Sequence, residues 1–285
     1  MPTGLKHQIG AALDADPVSL VPLGGGSVSE VYRVLLADGR EIVAKVDHSA
    51  GAQLEVEAFM LRFLRDHSQL PVPTVFYASG GLLLLQFVSG HASFSDLAQE
   101  HAAELLAELH SITSPTFGFD CPTVIGGLHQ PNPVADNWLE FFREQRLRYM
   151  GREALLSGRM SGALSDRLDR FCGRLGEWID PPAQPALIHG DAWTGNILAS
   201  PSKITGFLDP ALYFADPEIE LAFTTLFGTF GQAFFRRYDE ISRIRSGFWE
   251  IRRDIYNLYP LLVHVRLFGG SYVSAVQQTL DRFGC

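Results

Sequence analysis

The residues best suited to chemistry fall in one stretch, Leu187-Ile188-His189-Gly190-Asp191-Ala192-Trp193-Thr194-Gly195-Asn196-Ile197-Leu198. Asp191 is followed five residues later by Asn196, and apolar residues flank the pair, which is the H-x-D-x-x-x-x-N spacing of a phosphoryl-transfer loop. In such a loop the carboxylate takes the proton of an attacking hydroxyl, and the amide oxygen ligates Mg2+. Thirteen residues beyond Asn196, Gly206-Phe207-Leu208-Asp209-Pro210 puts a second carboxylate at the end of a short apolar run. Asp209 can bridge a hard cation to phosphate oxygens, because Mg2+ accepts one or two carboxylates and completes its shell with phosphate and water. An ordinary polar turn does not account for His-Gly-Asp, the five-residue step and the following carboxylate together.

Phosphate handling has its own candidates. Lys45 interrupts an apolar run, Ile42-Val43-Ala44-Lys45-Val46, in a chain with only three lysines. At that place a lysine can contact the α- and β-phosphates of a nucleotide and pair with a helix glutamate. Glu57, twelve residues on, is the expected partner, and Glu55 is its competitor. The alternative for Lys45 is a solvated strand lysine. Gly24-Gly25-Gly26-Ser27 can let the backbone approach phosphate closely, although a glycine-rich hairpin is also simply a flexible turn. It is neither GxxxxGK[ST] nor GxGxxG opening a helix.

The elements that must carry these residues divide the chain in two. Residues 18–23, 30–36 and 41–46 read as antiparallel strands, with Asp38-Gly39 marking a hairpin. Residues 54–64 have helical periodicity, with Phe59 and Phe63 on the expected apolar face, and Pro71 and Pro73 lie beyond it. Residues 75–78 and 82–88 form a further hairpin around Gly80-Gly81. After Ser89-Gly90 the pattern turns helical, over 96–110, 136–150, 162–179, 216–240, 247–257 and 259–282. The expectation is an α+β chain: a strand-rich lobe over 1–88 and a helical lobe over 89–285.

Composition narrows the partners. A net charge of −9 argues against nucleic acid and anionic membrane surfaces, both of which call for a basic face. Cys121, Cys172 and Cys285 show no paired spacing, and no signal peptide or membrane-length apolar run is visible. The expectation is a cytoplasmic protein, a monomer by default. The arginines of 143–152 and 236–253 read as solvated helix faces, Trp138, Phe141 and Phe142 as packing, and His110 as structural.

Taken together these residues resemble a kinase-like phosphotransferase of the aminoglycoside-phosphotransferase branch, in which His-Gly-Asp replaces His-Arg-Asp. More narrowly, the chain is similar to the fructosamine kinase (ketosamine-3-kinase) family. The similarity rests on His-Gly-Asp-Ala-Trp-Thr-Gly-Asn and Leu208-Asp209-Pro210-Ala211-Leu212-Tyr213. Phe117-Gly118-Phe119, Gln130-Pro131-Asn132, Trp138-Leu139-Glu140-Phe141-Phe142 and Asp216-Pro217-Glu218-Ile219-Glu220 extend it to most of the chain. Ser27 stands where many relatives carry cysteine, and Ala192 and Thr194 replace the more usual Leu and Ser.

The resemblance implies a two-lobed protein-kinase-like fold and Mg2+-dependent transfer from ATP to a ketosamine hydroxyl, on a free amine or a glycated protein. It implies Asp191 as base, with Asn196 and Asp209 on the metal. ATP would meet Gly24 to Ser27, Lys45, Glu57 and the lobe junction Gln86-Phe87-Val88, whose backbone can hydrogen-bond adenine. Trp193 would border the acceptor, and His189 and Asp216 would support the loop. The rival readings are a kinase for an aminoglycoside or choline-like amine and a nucleotide-binding scaffold without turnover.

Overall fold

The computed structural model describes residues 3–24, 29–49, 53–182 and 184–285. Its first part is a five-stranded antiparallel sheet of β1 (Pro17–Leu23), β2 (Glu30–Leu36), β3 (Glu41–Val46), β4 (Val75–Ser79) and β5 (Leu82–Gln86), in the order β1-β2-β3-β5-β4. Period-two alternation gives this sheet two apolar faces. Ile42, Ala44, Val46, Leu82 and Leu84 point to one, where Leu5 and Ile9 of helix α1 (Thr3–Leu13) cover them. Leu83 and Leu85 point to the other, against Leu54, Ala58 and Leu61 of α2 (Leu54–His67). Helix α1 is absent from the sequence reading above. Its signal is two core residues one turn apart, diluted by Gly4 and Gly10. On α2 the buried face is Leu54, Ala58, Met60, Leu61 and Leu64, whereas Phe59 is 40% exposed and meets Phe119 edge-on.

Beyond α3 (Asp96–His110) the chain is largely helical around one large apolar core. Small two-stranded sheets interrupt it. β6 (Thr123–Ile125) pairs with β7 (Leu128–Gln130), β8 (Ala186–Ile188) with β11 (Tyr213–Ala215), and β9 (Ile197–Ala199) with β10 (Ile204–Phe207). Helix α4 (Trp138–Phe141) runs through a π-helical stretch, Phe142–Arg148, into α5 (Tyr149–Leu156), and α6 (Gly162–Gly173) follows. The helix expected over 216–240 is two, α7 (Glu218–Leu226) and α8 (Gln232–Ile241), because Gly228 turns the chain at φ +64°. Conversely the break expected between 257 and 259 is absent: α9 (Arg253–Phe268) runs on through Leu258 and Pro260 and ends at Gly269-Gly270 before α10 (Ser271–Arg282).

Two of the arginines expected on solvated faces are buried. Arg146 lies 3.8 Å from the Tyr213 ring centre and donates to Pro131 O at 2.7 Å and Asn132 Oδ1 at 2.6 Å. Arg252 donates to both oxygens of Glu218, at 2.5 and 3.0 Å. Trp138, Phe141 and Phe142 are core residues and His110 is buried, as expected.

Candidate active site

Lys45 lies on the α2 side of the sheet, between Val31 of β2 and Leu83 of β5. Its ammonium donates to Glu57 Oε1 at 2.7 Å and also to Asp209 Oδ1. Glu55 is exposed, so the helix partner is Glu57. Burial works against the charged ammonium, but Asp209 and Glu57 outweigh it and hold its pKa above the ordinary lysine value. Burial likewise pushes the Glu57 carboxyl up, with Lys45 opposing and Asp209 adding to the rise.

The 189–196 loop is pinned by short strands on either side. β8 enters it, a 3-10 turn over Thr194–Asn196 closes it, and β9 leaves it. Ala211 N donates to His189 O and Leu208 N to Asn196 O, both at 2.8 Å, so the Asp209 segment is stitched to the loop. Gly190 sits at φ +85°, and a Cβ there would collide with the Ala211 carbonyl. That is the physical reason for glycine between His189 and Asp191. Asn196 Nδ2 donates to Asp191 Oδ2 at 2.8 Å and to Asp191 O at 3.0 Å, orienting the carboxylate. Burial raises the Asp191 pKa to about 8, the Asp209 charge adds to the rise, and the Asn196 bond partly offsets it.

A residue that sequence reasoning missed holds the loop from below. Glu220, buried in the first turn of α7, accepts from Gly190 N at 2.6 Å and His189 N at 3.1 Å. His110 Nε2 lies 2.9 Å from the same carboxylate, with Tyr238 Oη 2.6 Å from Nδ1. In sequence Glu220 looks like one more acidic residue at a helix start. His189 is buried, its Nδ1 accepts from Asp191 N at 3.3 Å, and burial pushes its pKa down. Asp216 accepts from Glu218 N at 3.0 Å and from Tyr256 Oη at 2.6 Å and also bonds Arg245, so it makes no direct bond to the 189–196 loop and instead fixes the start of α7, which carries Glu220.

These side chains converge on a cavity of about 490 Å³. Lys45, Glu57, Asp191, Trp193, Asn196 and Asp209 all line it. The Trp193 indole packs over Gly195, leaving no room for a Cβ there, and its ring centre lies 5.2 Å from that of Phe227. The rest of the lining is largely apolar and comes from the β6–β7 hairpin, α7, α9 and α10. Gln86, Phe87 and Val88 do not line this cavity. Gln86 Oε1 accepts from Thr74 Oγ1 at 2.9 Å, Phe87 N donates to Glu41 O at 3.3 Å, and Val88 packs against Gly206. Gly24 is an exposed turn residue, whereas Gly25, Gly26 and Ser27 lie outside the described residues.

The donor set suits a hard divalent cation. Asp209 presents a carboxylate whose side chain is 48% exposed, at a backbone φ of +52° that costs on the order of 1–3 kcal/mol. Asn196 commits its Nδ2 to Asp191, which leaves its Oδ1 as a hard oxygen ligand. Among the described residues no group of three or more His, Cys, Asp or Glu could enclose a metal. One carboxylate and one amide oxygen, with phosphate and water completing the shell, is instead the way Mg2+ is commonly held.

Residues 3–283 match the fructosamine kinase family. A probable ketoamine kinase of Vibrio parahaemolyticus is 32% identical over 272 residues, covering 92% of this chain and 91% of its own length. The chloroplastic protein-ribulosamine 3-kinase of Arabidopsis thaliana is 27% identical over 294 residues, covering 96% and 89%. Among solved structures, a candidate fructosamine-3-kinase from Thermobifida fusca superposes with a TM-score of 0.85 at 27% identity, covering 97% of each chain. No described helix is long and apolar enough to cross a membrane.

Proposed function

The chain belongs to the fructosamine kinase family and is a phosphotransferase with a protein-kinase-like fold, and from that premise we propose that it transfers the γ-phosphoryl group of ATP to the 3-hydroxyl of a ketosamine, such as a fructosamine or ribulosamine. The observation that carries this reading is the meeting of Lys45, Glu57, Asp191, Asn196 and Asp209 in the lining of one cavity. Lys45 holds the α- and β-phosphates, with Glu57 fixing its ammonium. The resemblance assigns phosphate contact to the sequence Gly24 to Ser27 as well. Gln86 and Phe87 commit their N–H groups to Thr74 O and Glu41 O, so adenine falls to the Val88 N–H and the junction carbonyls.

Asp191 orients the acceptor hydroxyl and takes its proton. The O3–phosphorus bond forms as the bond from phosphorus to the β,γ-bridging oxygen breaks, and ADP leaves with that electron pair. Asp209 and Asn196 would hold Mg2+, which supplies charge neutralisation on the β- and γ-phosphates when bound. Most of the rate would come from positioning and fixed charge. Trp193 gives the sugar an apolar wall and one N–H donor. Phosphate at C3 destabilises the adduct and frees the amine, so the acceptor suits repair of glycated amines, whether small or protein-borne.

The test is ATP consumption across fructosamine, ribulosamine, an aminoglycoside and choline, with Asp191→Asn beside the wild type. Turnover of the two ketosamines alone is expected. Asp191→Asn should lower kcat at least about a hundredfold while KM for ATP stays within twofold. A variant keeping more than half the wild-type kcat removes Asp191 from the base role.

A further inference from the structure

We propose that the acceptor end of the cavity selects ketosamines whose amine carries an uncharged alkyl or aryl substituent and disfavours those whose substituent carries a carboxylate. This rests on the ketosamine reading above and adds the chemistry of the group attached to nitrogen. The same cavity has an apolar wall to which Ile125, Phe223, Phe227, Val263, Leu267 and Phe268 contribute, and Phe227 meets the Trp193 ring of the catalytic loop at 5.2 Å between centres. Gly126, at the β6–β7 turn, lies so close to Leu267 Cδ1 that an added Cβ would stand 3.1 Å from it, so hairpin and α9 close one side of the wall together. Phe268 at the rim is 49% exposed. An apolar substituent seated there removes both its own surface and this wall from water.

Charge points the same way. Among the described residues lining the cavity, the acidic side chains Asp47, Glu57 and Asp209 face a single cation, Lys45, which Glu57 and Asp209 already hold. His264, on the same wall, gives its Nδ1 proton to the Pro260 carbonyl at 2.7 Å, and burial keeps the ring's pKa below its ordinary value. A carboxylate on the substituent would therefore find no free positive partner and would sit in a field of like charge. The secondary ammonium of the ketosamine itself is favoured by that same field. The tetramethylene stem of a lysine side chain and a free alkylamine share the chemistry that the wall accepts.

The test compares kcat/KM for four 1-amino-1-deoxyfructose adducts, those of methylamine, hexylamine, glycine and capped lysine, on wild type and Leu267→Lys. Hexyl should exceed methyl tenfold or more, and the glycine adduct should fall tenfold or more below methyl. Leu267→Lys, on a partly exposed position, should reverse both differences at an unchanged Tm. The capped-lysine adduct separates the sources: hexyl-like turnover assigns the stem to a protein lysine, and turnover of hexyl alone assigns it to a free amine. Rates within threefold across methyl, hexyl and glycine overturn the selection and leave the ketosamine reading standing. Turnover of no adduct, with ATP consumed on another alcohol, overturns both.

Discussion

Two clusters of mixed charge, one around Lys45 and one around Glu218, differ in a single respect that separates a reaction site from a strut. Lys45 is bonded to Glu57, side chains 12% and 14% exposed, and to Asp209, whose side chain is 48% exposed. One member can therefore change partners at the cost of a contact with water. Glu218, with a side chain 4% exposed, is gripped by Arg252 at 2.5 and 3.0 Å and by Arg245 at 3.1 and 3.2 Å. Asp216 beside it is fully buried and also bonded to Arg245 and Tyr256. Planar guanidinium forks satisfy these carboxylates from fixed directions, and the one partly exposed member, Arg245, with a side chain 34% exposed, is tied to both buried carboxylates at once, so neither carboxylate faces water.

The comparison breaks most sharply at Glu218. Glu218→Gln leaves the Arg252 guanidinium buried and uncompensated, a change that costs about 3–5 kcal/mol. At roughly 2–4 °C per kcal/mol for a chain of this order of size, Tm should fall by roughly 6 °C or more. KM for ATP and for the acceptor should stay within twofold on the folded fraction. Thermal unfolding with parallel kinetics checks this, and an unchanged Tm would end the view of this cluster as a strut.

The open cluster should instead declare itself through pH. Asp191 titrates near 8 in the folded protein against an ordinary 3.8, with burial first and the Asp209 charge second. The base is ionised only above that value, so kcat/KM for the acceptor should rise with pH and fall as pH drops through about 8. Stability runs the other way. Between 3.8 and about 8 the native state binds a proton that the unfolded chain has lost, so native stability declines as pH rises through this window. Asp191→Asn removes that decline, so the Tm of the variant relative to wild type should climb from pH 4 to pH 8 and level off above. Asp209→Asn should shift the Asp191 midpoint downward in a carboxyl NMR titration of the free enzyme. A midpoint that does not move would detach Asp209 from the base.

The same contrast explains what could be read from the chain beforehand. Lys45, Asp191, Asn196 and Asp209 were legible because each breaks an apolar run at a spacing that carries chemistry. The Lys45–Glu57 pairing was legible because strand and helix patterns set its distance in sequence. Glu220, Arg146 and Arg252 were not, because polarity at one position of a helix looks the same whether water or a buried partner satisfies it. His110 and Glu220 lie 110 residues apart, and nothing local announces that they meet. Helix α1 stayed hidden for a different reason: Leu5 and Ile9 acquire their meaning only from the sheet face they cover. The break expected between 257 and 259 is absent, because a helix buried on most sides gains enough from packing to run on even through Pro260 and its missing N–H.

The smallest expected effect belongs to Trp193, which stands between the two kinds of region. Its indole faces the cavity, yet it also packs on Gly195 and against Phe227, whose ring centre lies 5.1 Å from that of His264. If the ring serves the acceptor, Trp193→Ala should raise KM for a ketosamine several-fold and leave KM for ATP within twofold, because Lys45 and the phosphates are held by other elements. If it serves only the loop, Asn196 and Asp191 shift together, and both KM values, kcat and Tm should worsen in step. Trp193→Phe sharpens the distinction, since it keeps an aromatic wall and deletes the N–H. Recovery of ketosamine KM in the Phe variant assigns the role to the ring face, and persistence of the defect assigns it to the indole N–H. A stable Ala variant with wild-type ketosamine kinetics would take Trp193 out of the acceptor site altogether.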